Sequence, residues 1–158
     1  MFYESGDLRH IKLGDQEIIR RVYVAVRDHN WDTVTPVLSN VQTDIADDSF
    51  RITYSVKNTQ SNIDFFWQGI IIGKANGAIT FSMDGEARST FRRNRIGFCI
   101  LYPMECAGVE CQIEHVNGTV EQNTFPKYIA PQLIIDGKPS PVEPFSNMRA
   151  LVHQVTPD

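Results

Sequence analysis

Ile63-Asp64-Phe65-Phe66-Trp67-Gln68-Gly69-Ile70-Ile71-Ile72-Gly73-Lys74, continued by Ala75-Asn76-Gly77-Ala78 and Ile79-Thr80-Phe81-Ser82-Met83, decides the fold. Asn-Gly accepts the positive φ values that a tight hairpin needs, and Ile79, Phe81 and Met83 alternate with polar neighbours on period two. The stretch predicts a β-hairpin whose two-residue loop, Asn76-Gly77, sets Ile72 opposite Phe81 and Ile70 opposite Met83. Its first arm is apolar on both faces, which predicts a central strand with a layer on each side.

Outward from that hairpin the same signals recur. Gly14-Asp15, Asp84-Gly85, Asn117-Gly118 and Asp136-Gly137 are further turn dipeptides. Period-two sets follow at Phe50, Ile52, Tyr54, Val56 and at Val109, Cys111, Ile113. No segment sustains a 3.6-residue period with caps, so the expected class is all-β, an antiparallel β-sandwich. Residues 8–13 and 17–27 read as an N-terminal hairpin. Residues 28–36 read as a polar loop around Trp31, which in such a setting more often packs as a plug than serves as a sugar platform. Residues 126–144 are proline-rich and read as irregular, with a short strand at 132–135, and 147–155 read as a last strand.

With 158 residues the chain suits one domain that buries its own core. Its net charge of -4 argues against a nucleic-acid or membrane partner, because phosphate surfaces reward net positive faces. No apolar run approaches the roughly 20 residues that span a bilayer, and the N-terminus lacks a signal-peptide pattern. The expected location is therefore cytoplasmic. Cys99, Cys106 and Cys111 are read as reduced thiols, and their spacing does not suit zinc, so neither metal nor other cofactor is expected.

Residues 88–103 combine charge with an apolar strand. Arg88, Arg92, Arg93 and Arg95 are four of the ten arginines, followed at once by an apolar run from Ile96 to Tyr102. Guanidinium groups bind carboxylates, phosphates or sugar hydroxyls through fixed forks, and a structural network at a domain junction is the competing reading. Arg92, Arg93, Asn94 and Arg95, together with His115 and Trp31, are the candidate contacts for a substrate or a neighbouring domain. If the strand runs through them, period two puts Arg93 and Arg95 on one face.

Two other polar groups stand out. A two-residue loop at Asn117-Gly118 would set Glu114 opposite Glu121, with His115 alongside, an arrangement that solvent or a cation must relieve. Asp28, His29 and Asp32 offer a base with an orienting carboxylate. No nucleophile motif, phosphate-cradling glycine loop or His-Glu-x-x-His accompanies either group.

Three stretches carry a family likeness: Glu4-Ser5-Gly6-Asp7-Leu8-Arg9 with Leu13-Gly14-Asp15 and residues 24–31; Arg93-Asn94-Arg95-Ile96-Gly97-Phe98-Cys99; and Glu114-His115 through Phe125-Pro126, with Pro144-Phe145 and Met148-Arg149-Ala150. Together they resemble the N-terminal β-sandwich domain of the D-apionate lactonase family. The resemblance implies that residues 1–158 form a single sandwich domain cut from a longer multidomain hydrolase of a branched sugar-acid lactone. It also implies a downstream TIM-barrel-like domain as partner, and such barrels hold their chemistry at the ends of their own strands. The resemblance assigns no catalytic residue to a position of this segment, and residues 128–144 are longer than its pattern. The sandwich is also similar to the galactose mutarotase-like supersandwich, which raises the rival of a self-contained sugar-binding or epimerase domain with a sugar or sugar acid as ligand. Mutarotases pair a His and a Glu from adjacent strands, whereas His115 and Glu114 face opposite sides of one strand. A carbohydrate-binding module would need exposed aromatics, for which Trp31 and Trp67 are the candidates.

Overall fold

The computed structural model describes residues 1–127, 133–135, 138–140, 145 and 147–155. In chain order the strands are β1 (Phe2–Glu4), β2 (Asp7–Leu13), β3 (Gln16–Asp28), β4 (Pro36–Ile45), β5 (Phe50–Gln60), β6 (Ile63–Gly73), β7 (Ile79–Ala87), β8 (Arg93–Leu101), β9 (Glu110–His115), β10 (Val120–Thr124), β11 (Leu133–Ile135), β12 (Lys138–Ser140) and β13 (Met148–His153). One 3-10 turn, Met104–Cys106, interrupts them, and the described residues hold no α-helix. Contacts gather into two compact units, one of Met1–Ile11 with Arg21–Leu101, the other of Lys12–Arg20 with the chain from Tyr102 onward.

The first unit is an antiparallel β-sandwich. Its sheets run β1-β2-β3-β8 and β4-β5-β6-β7, and between them lie Leu8, Val26, Val34, Ile52, Tyr54, Val56, Ile63, Phe65, Trp67 and Ile71. Alternation makes this core: Ile63, Phe65, Trp67 and Ile71 are buried on one face of β6 while Gln68, between them, is exposed. The opposite face of β6 carries Phe66, Ile70 and Ile72, half-buried among the exposed Arg51, Lys57, Asp84 and Glu86. It is a solvated face, not the second covered layer that the apolar run suggested. Arg88 shields part of it, its guanidinium 4.0 Å from the centre of the Phe66 ring.

Both Asn-Gly turns hold one residue more than expected. Lys74 pairs with Ala78 (N to O, 3.0 Å), and Gly77 closes the loop at φ 81° by donating to the Lys74 carbonyl. The left-handed glycine thus stands third in a three-residue loop with a bulge, and the register moves by one. Ile71 faces Phe81, Gly69 faces Met83, and Ile72 faces Thr80. The same device operates at Asn117-Gly118, where Gly118 has φ 84°. Glu114 consequently faces Val120 and Glu121 faces Ile113, so the expected confrontation of two carboxylates does not arise.

β4 escaped the pattern reading for a physical reason. Only Leu38 of its ten residues is even half-buried, so an edge strand of this kind carries no apolar alternation to find. Its ladder with β5 slips between Ser39 and Gln42, around Asn40 at φ 53°.

The second unit has a sheet ordered β10-β9-β13 and a two-stranded ribbon β11-β12. Its own core is Cys106, Cys111, Ile113 and Phe125, with Tyr102, Val109, Phe145 and Leu151 packed on it. The ribbon and the last strand bear out the short strand and the closing strand read from the sequence, within two residues at each end.

Candidate functional site

The loop between β3 and β4 is built around one buried carboxylate. Asp28 is 6% exposed, and its Oδ1 accepts from the backbone amides of Asn30 (2.8 Å) and Asp32 (3.0 Å). Oδ1 is thus taken up by its own loop, and among the described residues no hydrogen bond joins Asp28 to His29. The tight turn puts Trp31 at φ 74°, a left-handed conformation that costs a bulky residue about 1–3 kcal/mol. Arg27 holds the turn in place by donating to the Trp31 carbonyl (3.4 Å) and to the Thr33 hydroxyl.

Held this way, Trp31 is 52% exposed. It is not the packing plug expected. Trp67 has the opposite fate: it is 3% exposed and its Nε1 donates to Asn58 Oδ1 at 3.1 Å, which removes it from the surface aromatics.

The arginine cluster divides. On β8, Ile96 pairs with Val26 and Arg93 with Asp28. One residue of β3, Arg27, therefore spans the two residues Asn94 and Arg95, and this bulge breaks the alternation that would have put Arg93 and Arg95 on one face. Arg95 lies over Trp31, its guanidinium carbon 5.4 Å from the ring centre. Arg93 sits opposite Asp28, and the half-buried Asn94 occupies the bulge. Arg92, with Asp28, His29, Ser61, Asn62 and Ile63, lines a small groove of about 150 Å³. Among the described residues, no carboxylate pairs with Arg27, Arg92, Arg93 or Arg95.

His115 belongs to the second unit. Its Nε2 is 3.6 Å from the Glu121 carboxylate, while Glu114, on the other side of the strand, meets Arg149 at 3.3 Å. Each carboxylate thus has its own partner, and His115 and Glu114 form no acid-base pair. Cys106 and Cys111 are buried, and burial, assisted by Glu105 and Glu121 respectively, pushes both thiols up. Iodoacetamide at pH 7.5 should leave both unlabelled in the native chain and label both in urea, as read by mass after digestion, because only the thiolate reacts. Rapid labelling of either in the native chain would mean that its cover opens easily.

Among the described residues no group of three or more His, Cys, Asp or Glu stands where it could hold a metal ion, and no helix is long and apolar enough to cross a membrane. The family described as D-apionate lactonase, N-terminal domain, matches residues 1–158. The chain belongs to this family. A D-apionate lactonase of Brucella anthropi is 32% identical over 159 aligned positions, which cover 97% of this chain and 24% of that protein. The chain therefore spans about a quarter of the length of that curated relative. No solved structure matches.

Among the described residues, Arg27, Trp31 and Arg95 form the one group where an exposed aromatic ring meets cations without carboxylate partners. Sequence reasoning named Trp31 and Arg95 separately and missed Arg27, which reads as an ordinary strand-end cation. The Asp28-x-Asn30 spacing was the available clue, since Asp side chains cap turns two residues ahead.

Proposed function

We propose that the chain is the N-terminal sandwich of a D-apionate-lactonase-like carbohydrate hydrolase acting on a sugar-acid lactone in the cytoplasm, and that it supports a catalytic barrel elsewhere in the same polypeptide. One observation carries the reading: the match covers nearly all of this chain and only 24% of the lactonase. Most of such an enzyme lies outside the region matched here, with ample room for a barrel of roughly 250 residues. The local geometry supports the division of labour. Lactone hydrolysis needs an activated water and a stabiliser for the developing oxyanion. The Oδ1 atom of the buried Asp28 is bound by its own loop amides, and Glu114 meets Arg149.

The test compares this chain alone with the full-length parent. D-Apionolactone should be hydrolysed by the parent and not above background by the chain alone. Turnover by the chain alone would overturn the supporting role.

A further inference from the structure

We infer that the free edge of β8 receives an extended segment from the remainder of the same polypeptide, with apolar side chains against Phe98 and Ile100 and a carboxylate against Arg95. The inference rests on the reading that this chain is one part of a longer hydrolase.

β8 ends its sheet, with β3 on one side and no strand among the described residues on the other. An unpaired edge is a template for further strand addition, and proteins blunt such edges with charge, proline, bulges or shortness. The other edges of the two sandwich sheets carry such features. β7 carries Asp84 and Glu86, β4 begins with Pro36, carries Asp44 and is bulged, and β1 has three residues. β8 has its arginines and its bulge only at the start. From Ile96 through Gly97, Phe98, Cys99 and Ile100 to Leu101 it carries no charge.

The core is open along this edge. Phe98 pairs with Val24 and Ile100 with Val22 on the sandwich-facing side, yet they are 45% and 49% exposed. Phe98 meets the opposite sheet at Phe81, ring centres 4.9 Å apart. At the start of the same strand stands Trp31, exposed in a strained conformation, with Arg95 on its ring and Arg27 behind it. Trp, Arg and Phe without Lys is the composition of interface hot spots, not of ordinary solvated surface. Cations without carboxylate partners, in a chain of net charge -4, call for an acidic complement from outside it.

The occupant follows from what would satisfy both halves. Antiparallel self-pairing of two copies about Phe98 would set Arg95 near Ile100 or Leu101, leaving the guanidinium without a carboxylate. A small sugar acid could meet Arg95 and Trp31, but it leaves Phe98, Ile100 and the β8 backbone open. A strand alternating apolar and acidic residues fits all of them, because period two sends its side chains to both faces. Tethering makes a segment of the same polypeptide the favoured source, since linkage supplies effective concentrations on the order of millimolar.

Hydrogen exchange read by mass spectrometry, on this chain and on the full-length parent, tests the inference. Among residues 96–101, the amides that point away from β3 should exchange on the order of 100-fold more slowly in the parent, as expected for a newly paired edge. In the parent, Arg95→Glu should remove at least about tenfold of that protection and Arg95→Lys should keep most of it, since one well-placed charge pair decides about 1.4 kcal/mol or more. Phe98→Asp should abolish the protection in the parent while barely changing exchange elsewhere in the isolated chain. Equal exchange of 96–101 in both proteins would overturn the inference even if the parent hydrolyses lactone. Conversely, turnover by the isolated chain would sink the supporting role without touching the exchange result. Protection in the isolated chain that vanishes on dilution would mean a second copy is the occupant. Saturable quenching of Trp31 by D-gluconate, equal in both proteins and with the edge still exchanging fast, would mean a small acid is. Either outcome overturns the proposal.

Discussion

Gly69→Val is expected to lower the unfolding free energy of the first unit by about 3 kcal/mol, at the upper end of what overpacking a core costs. Gly69 faces Tyr54 across β5 and β6, and a Cβ at Gly69 would lie 2.7 Å from Cε2 of that ring. The ring has nowhere to go. Its hydroxyl donates to the Gly6 carbonyl at 2.9 Å, burial holds the phenol neutral by pushing its pKa far up, and Trp67 and Phe81 flank it edge-on at 5.5 and 6.4 Å. A valine must therefore displace a ring anchored at both ends. Gly118→Ala is the control: no atom lies within 4 Å of its Cβ, so only the φ of 84° opposes the change, a cost of about 1 kcal/mol. Urea unfolding followed by circular dichroism gives both values. If Gly69→Val costs no more than Gly118→Ala, the Tyr54 ring is mobile and this account of the core fails.

The glycine-under-tyrosine contact illustrates what a sequence conceals. Hydropathy registers Ile70-Ile71-Ile72 strongly and Gly69 not at all, yet Gly69 and Gly73 decide where Tyr54 and Phe50 of the neighbouring strand can lie. Strand existence was legible because Phe65, Trp67 and Ile71 alternate with outward residues. Register was not, because Asn-Gly occurs both in two-residue loops and in three-residue loops with a bulge, and these differ by one position. The error of one residue exchanged the face of every pair in the first hairpin, and it created a clash between Glu114 and Glu121 that the protein does not have.

The candidate site was legible in its chemistry and hidden in its geometry. The arginines from Arg92 to Arg95 announced a cationic rim, but the bulge opposite Arg27 sends one to a groove, one opposite Asp28 and one onto Trp31. The two tryptophans stand in different settings, Trp67 after Phe65-Phe66 in an apolar run and Trp31 in a polar loop, yet both were candidates for an exposed aromatic platform. What separates them is a partner: Asn58 takes the indole N–H of Trp67 inside the sandwich, while the turn around Asp28 holds Trp31 out. Phe98 and Ile100 read as core because their strand is apolar, and only its place at the end of the sheet leaves them uncovered.

Asn58 links that core to the Trp31 loop, and Asn58→Leu is expected to cost about 3 kcal/mol, from two buried groups losing partners at 1–3 kcal/mol each, less the gain from the apolar replacement. The side chain is 2% exposed. Its Nδ2 donates to the Val34 carbonyl at 2.7 Å, and its Oδ1 accepts from Trp67 at 3.1 Å. Leucine fills similar space and does neither, leaving a carbonyl and an indole N–H dry and unpaired. The effect should also reach the surface. Val34 closes the loop by donating its amide to the Val26 carbonyl at 2.9 Å, so loosening Val34 frees the turn that strains Trp31. Acrylamide quenching of the exposed indole should rise, and β8 in the full-length parent should lose part of its protection although the hydrogen bonds of Asn58 go to Val34 and Trp67. Trp67→Phe supplies the check, because removing the N–H leaves Asn58→Leu with one broken partnership instead of two. The double variant should then be less destabilised than the sum of the singles by about 1 kcal/mol or more. Strict additivity would mean that Asn58 and Trp67 act independently, and the bridge from core to loop would have to run through Val34 alone.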